Sequence, residues 1–201
     1  MGTMIDGLIE TREAGGVWEC EVSLLDFDLD KARDARECLF GYGGGLGVDR
    51  PLFDQRGWPE DSCQEVPKSL TDELNHSHSY ATWAEIAAID WDAPVSDRPH
   101  WCYVGEWRPG PDGELVLEDV VWRTDELLDA AEKLFGDGCY PHEWPPGGEV
   151  PLNGAVYRPV VLTAGIVVPP DDNKWAPVWA SMRALAAEYG DENVRLVVWF
   201  G

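Results

Sequence analysis

Residues 194–200 read Val-Arg-Leu-Val-Val-Trp-Phe, with six of seven positions apolar and no alternation to mark a solvent side. A strand of this kind is stable only where both of its faces are covered. The fold must therefore place at least one layer on each side of it. The preceding segment supplies one of them. Trp175, Val178, Trp179, Met182, Leu185, Ala186 and Tyr189 recur at three- and four-residue steps, the spacing of a helix with one apolar face. Asp172 or Asn173 is the expected cap, Pro177 suits the first turns, and Gly190 stands where such a helix stops. At the other end of the chain, β-like runs over 3–11 and 17–27 meet through Glu13-Ala14-Gly15-Gly16, whose glycines permit a tight turn. The expectation is a sheet that holds this hairpin and the last strand, with the tryptophan-rich helix packed on it.

Between these ends the elements alternate in type. Asp28 or Asp30 can cap a helix carrying Ala32, Ala35 and Leu39, which Gly41 would end. Thr82-Trp83-Ala84-Glu85 has the capping-box form and opens a short helix through Ile89. Runs at 100–107 and 115–122 flank the turn Pro109-Gly110-Pro111-Asp112-Gly113 and predict a second hairpin. Thr124 then caps a helix with Leu127, Leu128, Ala131, Leu134 and Phe135 on one face. Residues 156–168 are β-rich but interrupted at Pro159 and Gly165, which predicts an edge or bent strand. Segments 41–68 and 136–154 are expected to be irregular, the second because it holds four prolines and five glycines. Only 47 residues follow it, too few to argue for a second unit. The predicted fold is a single α+β domain over 1–201, with a mixed, mainly antiparallel sheet, an N-terminal hairpin and packed helices.

Charge narrows the function. Fifteen Lys and Arg against 38 Asp and Glu leave a net charge of −23, which repels phosphate backbones and anionic lipid. Nucleic acid and membrane surfaces are thus not expected partners. Asp6, Glu10 and Glu13 interrupt the start, so no secretory signal is expected, and the longest run without ionisable side chains, 159–170, is too short to span a bilayer. Five widely spaced cysteines suit thiols in a reducing compartment, and the expected location is the cytoplasm. Of eleven tryptophans, Trp83, Trp91, Trp175, Trp179 and Trp199 follow core periodicities. Trp58, Trp144 and Trp107 lie by irregular segments and are the candidates for contact with a ligand or partner.

His76-Ser77-His78-Ser79 is the sharpest local feature. Residues two apart on an extended chain point the same way, so the two imidazoles could share a zinc ion if further ligands converged from His100 and Cys102, Cys139 and His142, or Asp90 and Asp92. Alternatively, serines and histidines before a helix satisfy its unpaired N–H groups, or those groups take up an anionic or polar ligand. Neither a nucleophile elbow nor a phosphate-loop ending accompanies them, and the 41–47 glycine run lacks a dinucleotide fingerprint. Asp26, Asp28, Asp30, Asp34 and Glu37 imitate a calcium-loop register, but Lys31 stands where the sharp turn requires glycine.

Five patches carry a resemblance: Gly2-Thr3 with Ile5, Gly7, Ile9 and Glu10; Arg56-Gly57-Trp58-Pro59-Glu60-Asp61-Ser62; His76-Ser77-His78-Ser79-Tyr80 with Thr82; Asp90-Trp91; and Tyr189-Gly190-Asp191 with Asn193-Val194-Arg195, Val197, Trp199 and Phe200. In these the chain resembles an uncharacterised family of actinobacterial and phage proteins, whose members carry Leu in place of Trp58 and Trp in place of Tyr80. The resemblance implies one shared architecture and a phage- or defence-related accessory role, without an activity. The expected ligand-binding cluster is Arg56, His76, Ser77, His78, Ser79, Asp90 and Trp91, with no catalytic residue, metal or cofactor assigned. The expected function is that of a cytosolic binding or inhibitory accessory protein acting through an acidic, aromatic surface, with a basic protein or a small polar ligand as partner. The alternative is a metal-dependent hydrolase built on His76 and His78.

Overall fold

A computed structural model describes residues 5–29, 33–43, 47–63, 76–136, 139–170 and 174–200. The last strand, β8 (Val194–Phe200), is buried along its whole length. It lies inside a four-stranded sheet between β1 (Ile5–Thr11) and β3 (His76–Thr82), with β2 (Glu19–Ser23) beyond β1. Every pairing in this sheet is antiparallel. Ile9, Ala81, Leu196, Val198 and Phe200 face the main core. There they meet α1 (Arg33–Phe40) and α5 (Ala176–Tyr189), whose Phe40, Val178, Trp179 and Met182 join the same cluster. Trp175 and Trp179 stack at 5.2 Å, and the Phe40 ring lies 6.2 Å from Phe200. Burial of side chains this large contributes roughly 1.5–3 kcal/mol each. The opposite face of the sheet carries Leu8, Val197 and Trp199, with Trp58 and Cys63 packed on them.

A second antiparallel sheet has the order β5-β4-β7-β6. It comprises β4 (Tyr103–Pro109), β5 (Leu115–Trp122), β6 (Val150–Leu152) and β7 (Ala155–Pro159). One face meets α3 (Asp125–Phe135), with Val104, Leu127, Ala131, Trp144 and Val150 forming a smaller core. Tyr103 and Val120, from the other face, pack against the main core, so the two sheets share it. The α+β class follows the sequence reading, in the form of two wholly antiparallel sheets where one mixed sheet was expected.

Thr124 caps α3 by accepting the Leu127 N–H, and Gly136 ends it at φ 98°. Thr82 and Glu85 form the capping box of α2 (Trp83–Ala87). Three expectations need correction. Residues 136–154 contain a 3₁₀ turn at Pro141–Glu143 and all of β6. β7 is an inner strand, since Pro159 falls at its end where the missing N–H costs little. The continuation of that β-rich run is helical, because Thr163 accepts the Ile166 N–H and opens α4 (Ala164–Val167). The caps expected at Asp30 and at Asp172 or Asn173 lie outside the described residues, as do parts of the 41–68 segment. No described helix is long and apolar enough to cross a membrane.

Candidate functional site

Four of the seven expected site residues meet where β3 runs beside segment 54–57. The Ser79 hydroxyl is buried, donates to the Asp54 carbonyl at 2.7 Å and accepts the Arg56 N–H at 3.4 Å. The His78 carbonyl accepts the Gly57 N–H at 3.1 Å and the Tyr42 hydroxyl at 3.4 Å. Ser77 adopts φ 67° at a register shift between His76 and Ser79, where β3 carries one residue more than its partner β8. This bulge breaks the two-residue repeat on which a shared metal between His76 and His78 depended. The His78 ring instead meets Trp58 edge-on at 5.6 Å, and Trp58 lies 5.8 Å from Trp199. Asp90 and Trp91 follow the far end of α2. Asp90 accepts the Asp92 N–H, while the Trp91 carbonyl accepts the Gly165 N–H at 2.7 Å.

Arg56 forms a two-pronged pair with Glu85, at 2.7 and 2.9 Å, and lies over the Tyr80 ring at 5.4 Å. These Arg56 hydrogen bonds hold the Glu85 carboxyl below its ordinary 4.5; burial opposes them, and the Thr82 N–H, the Arg56 charge and the Thr82 hydroxyl add to them. A carboxyl depressed in the folded state stabilises the fold fully above its unfolded value and loses that contribution as pH falls through the folded one. Stability is therefore expected to fall as pH drops below about 4.5. In Glu85→Gln this part of the acid slope should be absent from thermal melts across pH 3 to about 6, and an unchanged slope would contradict the assignment.

A second centre lies on the same sheet face. Glu10 and Arg195 are opposite one another across β1 and β8, joined by Arg195 Nε to Glu10 Oε2 at 2.6 Å. Their side chains are 0% and 5% exposed. The other Glu10 oxygen accepts the Ser62 hydroxyl at 2.5 Å and the Cys63 N–H at 2.8 Å. Arg195 also donates to Asp61 at 2.8 Å, Asp61 accepts the Trp18 indole N–H at 2.9 Å, and the guanidinium lies 3.9 Å from the Trp18 ring centre. The Arg195 hydrogen bond is also the chief reason that the Asp61 carboxyl is held below its ordinary range. Beside this centre a cleft of about 600 Å³ opens between residues 16–20 and 61–63. With both oxygens of Glu10 engaged, the group anchors segment 61–63. A signal for it in the sequence was Arg195, the one charge in an otherwise apolar strand, whereas β1 carries Asp6 as well as Glu10.

The exposed aromatic surface lies elsewhere. Trp101, Trp122 and Tyr140 are 41%, 52% and 39% exposed. Trp101 meets Trp122 edge-on at 5.9 Å, and Trp122 meets Tyr103 at 5.2 Å. Toward the other end of β5, an outer strand of its sheet, Val116 and Leu117 are also exposed. A hollow of about 400 Å³ adjoins these rings, lined by Asp49, Arg98, His100, Trp101, Tyr140 and His142. Of the expected contact tryptophans, Trp144 is buried, because its indole N–H reaches the Cys139 carbonyl at 3.0 Å and its ring packs 5.6 Å from Phe135. Trp107 is half-buried beneath the Arg158 guanidinium at 4.7 Å.

His100 is buried, and its Nδ1 accepts the N–H groups of Cys102 and Tyr103, both at 2.9 Å. That nitrogen is committed to shaping the turn into β4. Among the described residues no three His, Cys, Asp or Glu side chains gather as a metal site would require. Comparison with protein-family models, with curated proteins and with solved structures finds no match to this chain.

Proposed function

We propose that the chain is a binding protein that takes up a basic protein segment on its acidic, aromatic surface. The observation that carries this reading is the edge-on pair Trp101 and Trp122, both exposed beside an outer strand. Two large indoles left in water edge-on to each other are an exposed apolar feature of the kind that marks interaction sites. The outer edge of β5 offers backbone N–H and C=O groups to an added strand. Indole faces attract cationic side chains, and the hollow beside Trp101 holds the Asp49 carboxylate together with Arg98. A net charge of −23 favours the approach of a basic partner. Such a protein acts as an accessory or inhibitor by covering the basic surface that it captures.

The test uses a short peptide of alternating arginine and valine, followed by fluorescence anisotropy. The double variant Trp101→Ala/Trp122→Ala keeps every charge, so general attraction to the acidic chain stays constant. Loss of both rings should weaken binding about tenfold or more, as for interface anchors, while the melting temperature stays near that of the parent because both side chains are exposed. Equal affinity of parent and variant would overturn the proposal.

A further inference from the structure

Two cysteines adjoin Glu10 from different directions. Cys20 stands opposite Glu10 in the pairing of β1 with β2, and antiparallel neighbours lie about 5 Å apart. Cys63 arrives from the covering segment and donates its N–H to Glu10 at 2.8 Å. Both line the same cleft, and Cys20 packs against the apolar cluster that contains Cys63. Cys20 is half-buried and Cys63 buried. The other cysteines differ. Cys38 is fully buried, and burial, aided by the Glu37 charge, pushes its thiol up to about 12. Burial likewise raises the Cys102 thiol. Cys139 packs with the smaller core beside α3.

We propose that Cys20 and Cys63 are an oxidation site, which a hydroperoxide converts into an intramolecular disulfide that fastens segment 61–63 to β2. The Cys20 thiolate attacks one peroxide oxygen, the O–O bond breaks, and the departing hydroxide takes a proton to leave as water. The sulfenic acid on Cys20 is then attacked by the Cys63 sulfur, the S–O bond breaks, and a second water carries away the thiol proton. Two thiols and one hydrogen peroxide thus give one disulfide and two waters, with two electrons passing from sulfur to peroxide. The inference stands apart from the aromatic surface and rests on this cleft alone.

The test treats the full chain with hydrogen peroxide, alkylates the remaining thiols under denaturing conditions and maps the peptides by mass spectrometry. The expected product is a single cross-link between the Cys20 and Cys63 peptides, reversed by dithiothreitol. The oxidised chain should melt roughly 5–10 °C higher, since the bond closes a long loop. Cys20→Ser should abolish the cross-link and leave Cys63 open to alkylation. Cys20 recovered as sulfinic acid with Cys63 still reduced would overturn the proposal, as would both thiols surviving peroxide that oxidises Cys139.

Discussion

Replacing Arg195 with methionine should lower the unfolding free energy by about 3–5 kcal/mol, because it strands the Glu10 carboxylate without its counter-charge. Glu10 is completely buried between β8 and segment 61–63. A charge so placed is tolerated only while it is paired and hydrogen-bonded. The Ser62 hydroxyl and the Cys63 N–H remain in the variant, but neither carries a full positive charge. The double variant Arg195→Met/Glu10→Gln separates the charge effect from loss of packing. Its amide oxygen still accepts from Ser62 and Cys63, while the stranded charge is gone. It should recover at least half of the lost stability in urea denaturation. A loss below about 1 kcal/mol in Arg195→Met would place the pair among ordinary surface ion pairs.

The sheet around this pair was legible for a physical reason. A seven-residue strand apolar on both faces can lie only inside a covered sheet, and β8 does lie between β1 and β3 with every residue buried. The helices were legible where side chains close their own ends, as at Thr82 with Glu85 and at Thr124 with Gly136. Local pattern failed where tertiary context decided. A run such as 156–168 carries β-branched residues whether it continues as a strand or turns into α4, where the Thr163 cap is joined by the Ala164 and Gly165 N–H groups donating to the Ala93 and Trp91 carbonyls.

The candidate site was legible only in part. Arg56, Ser77, His78 and Ser79 do come together, since a strand fixes the spacing of the last three and segment 54–57 returns to it. The bulge at Ser77 was invisible, because a non-glycine residue at positive φ leaves no compositional mark. Trp122 was missed for a different reason. Its strand reads as apolar, but β5 is outermost in its sheet, and strand order is a property of the whole fold. Glu10 and Arg195 are 185 positions apart in sequence. Each by itself reads as a solvated charge.

Gly7→Ala should cost about 3 kcal/mol, a large penalty for one methyl group. Gly7 stands opposite Val198 within β1, and a Cβ there would fall 2.3 Å from the Val197 carbonyl oxygen and 2.8 Å from Leu24 Cδ1. The oxygen belongs to the central strand and cannot rotate away, while Leu24 is itself buried. The cost is steric, so a turn glycine serves as the control. Gly15 has φ 76°, and a methyl group added to it would meet nothing within 4 Å. Gly15→Ala should therefore cost only about 1 kcal/mol, through backbone conformation. Equal losses for the two variants in urea denaturation would contradict the close approach of β1 to β8. Displacement of β1 has a further consequence, because the same strand carries Glu10 three residues on, directly opposite Arg195. A shift that relieves the clash at Gly7 also strains that ion pair. The combined variant Gly7→Ala/Arg195→Met should therefore lose less than the sum of the two single losses, by at least about 0.5 kcal/mol.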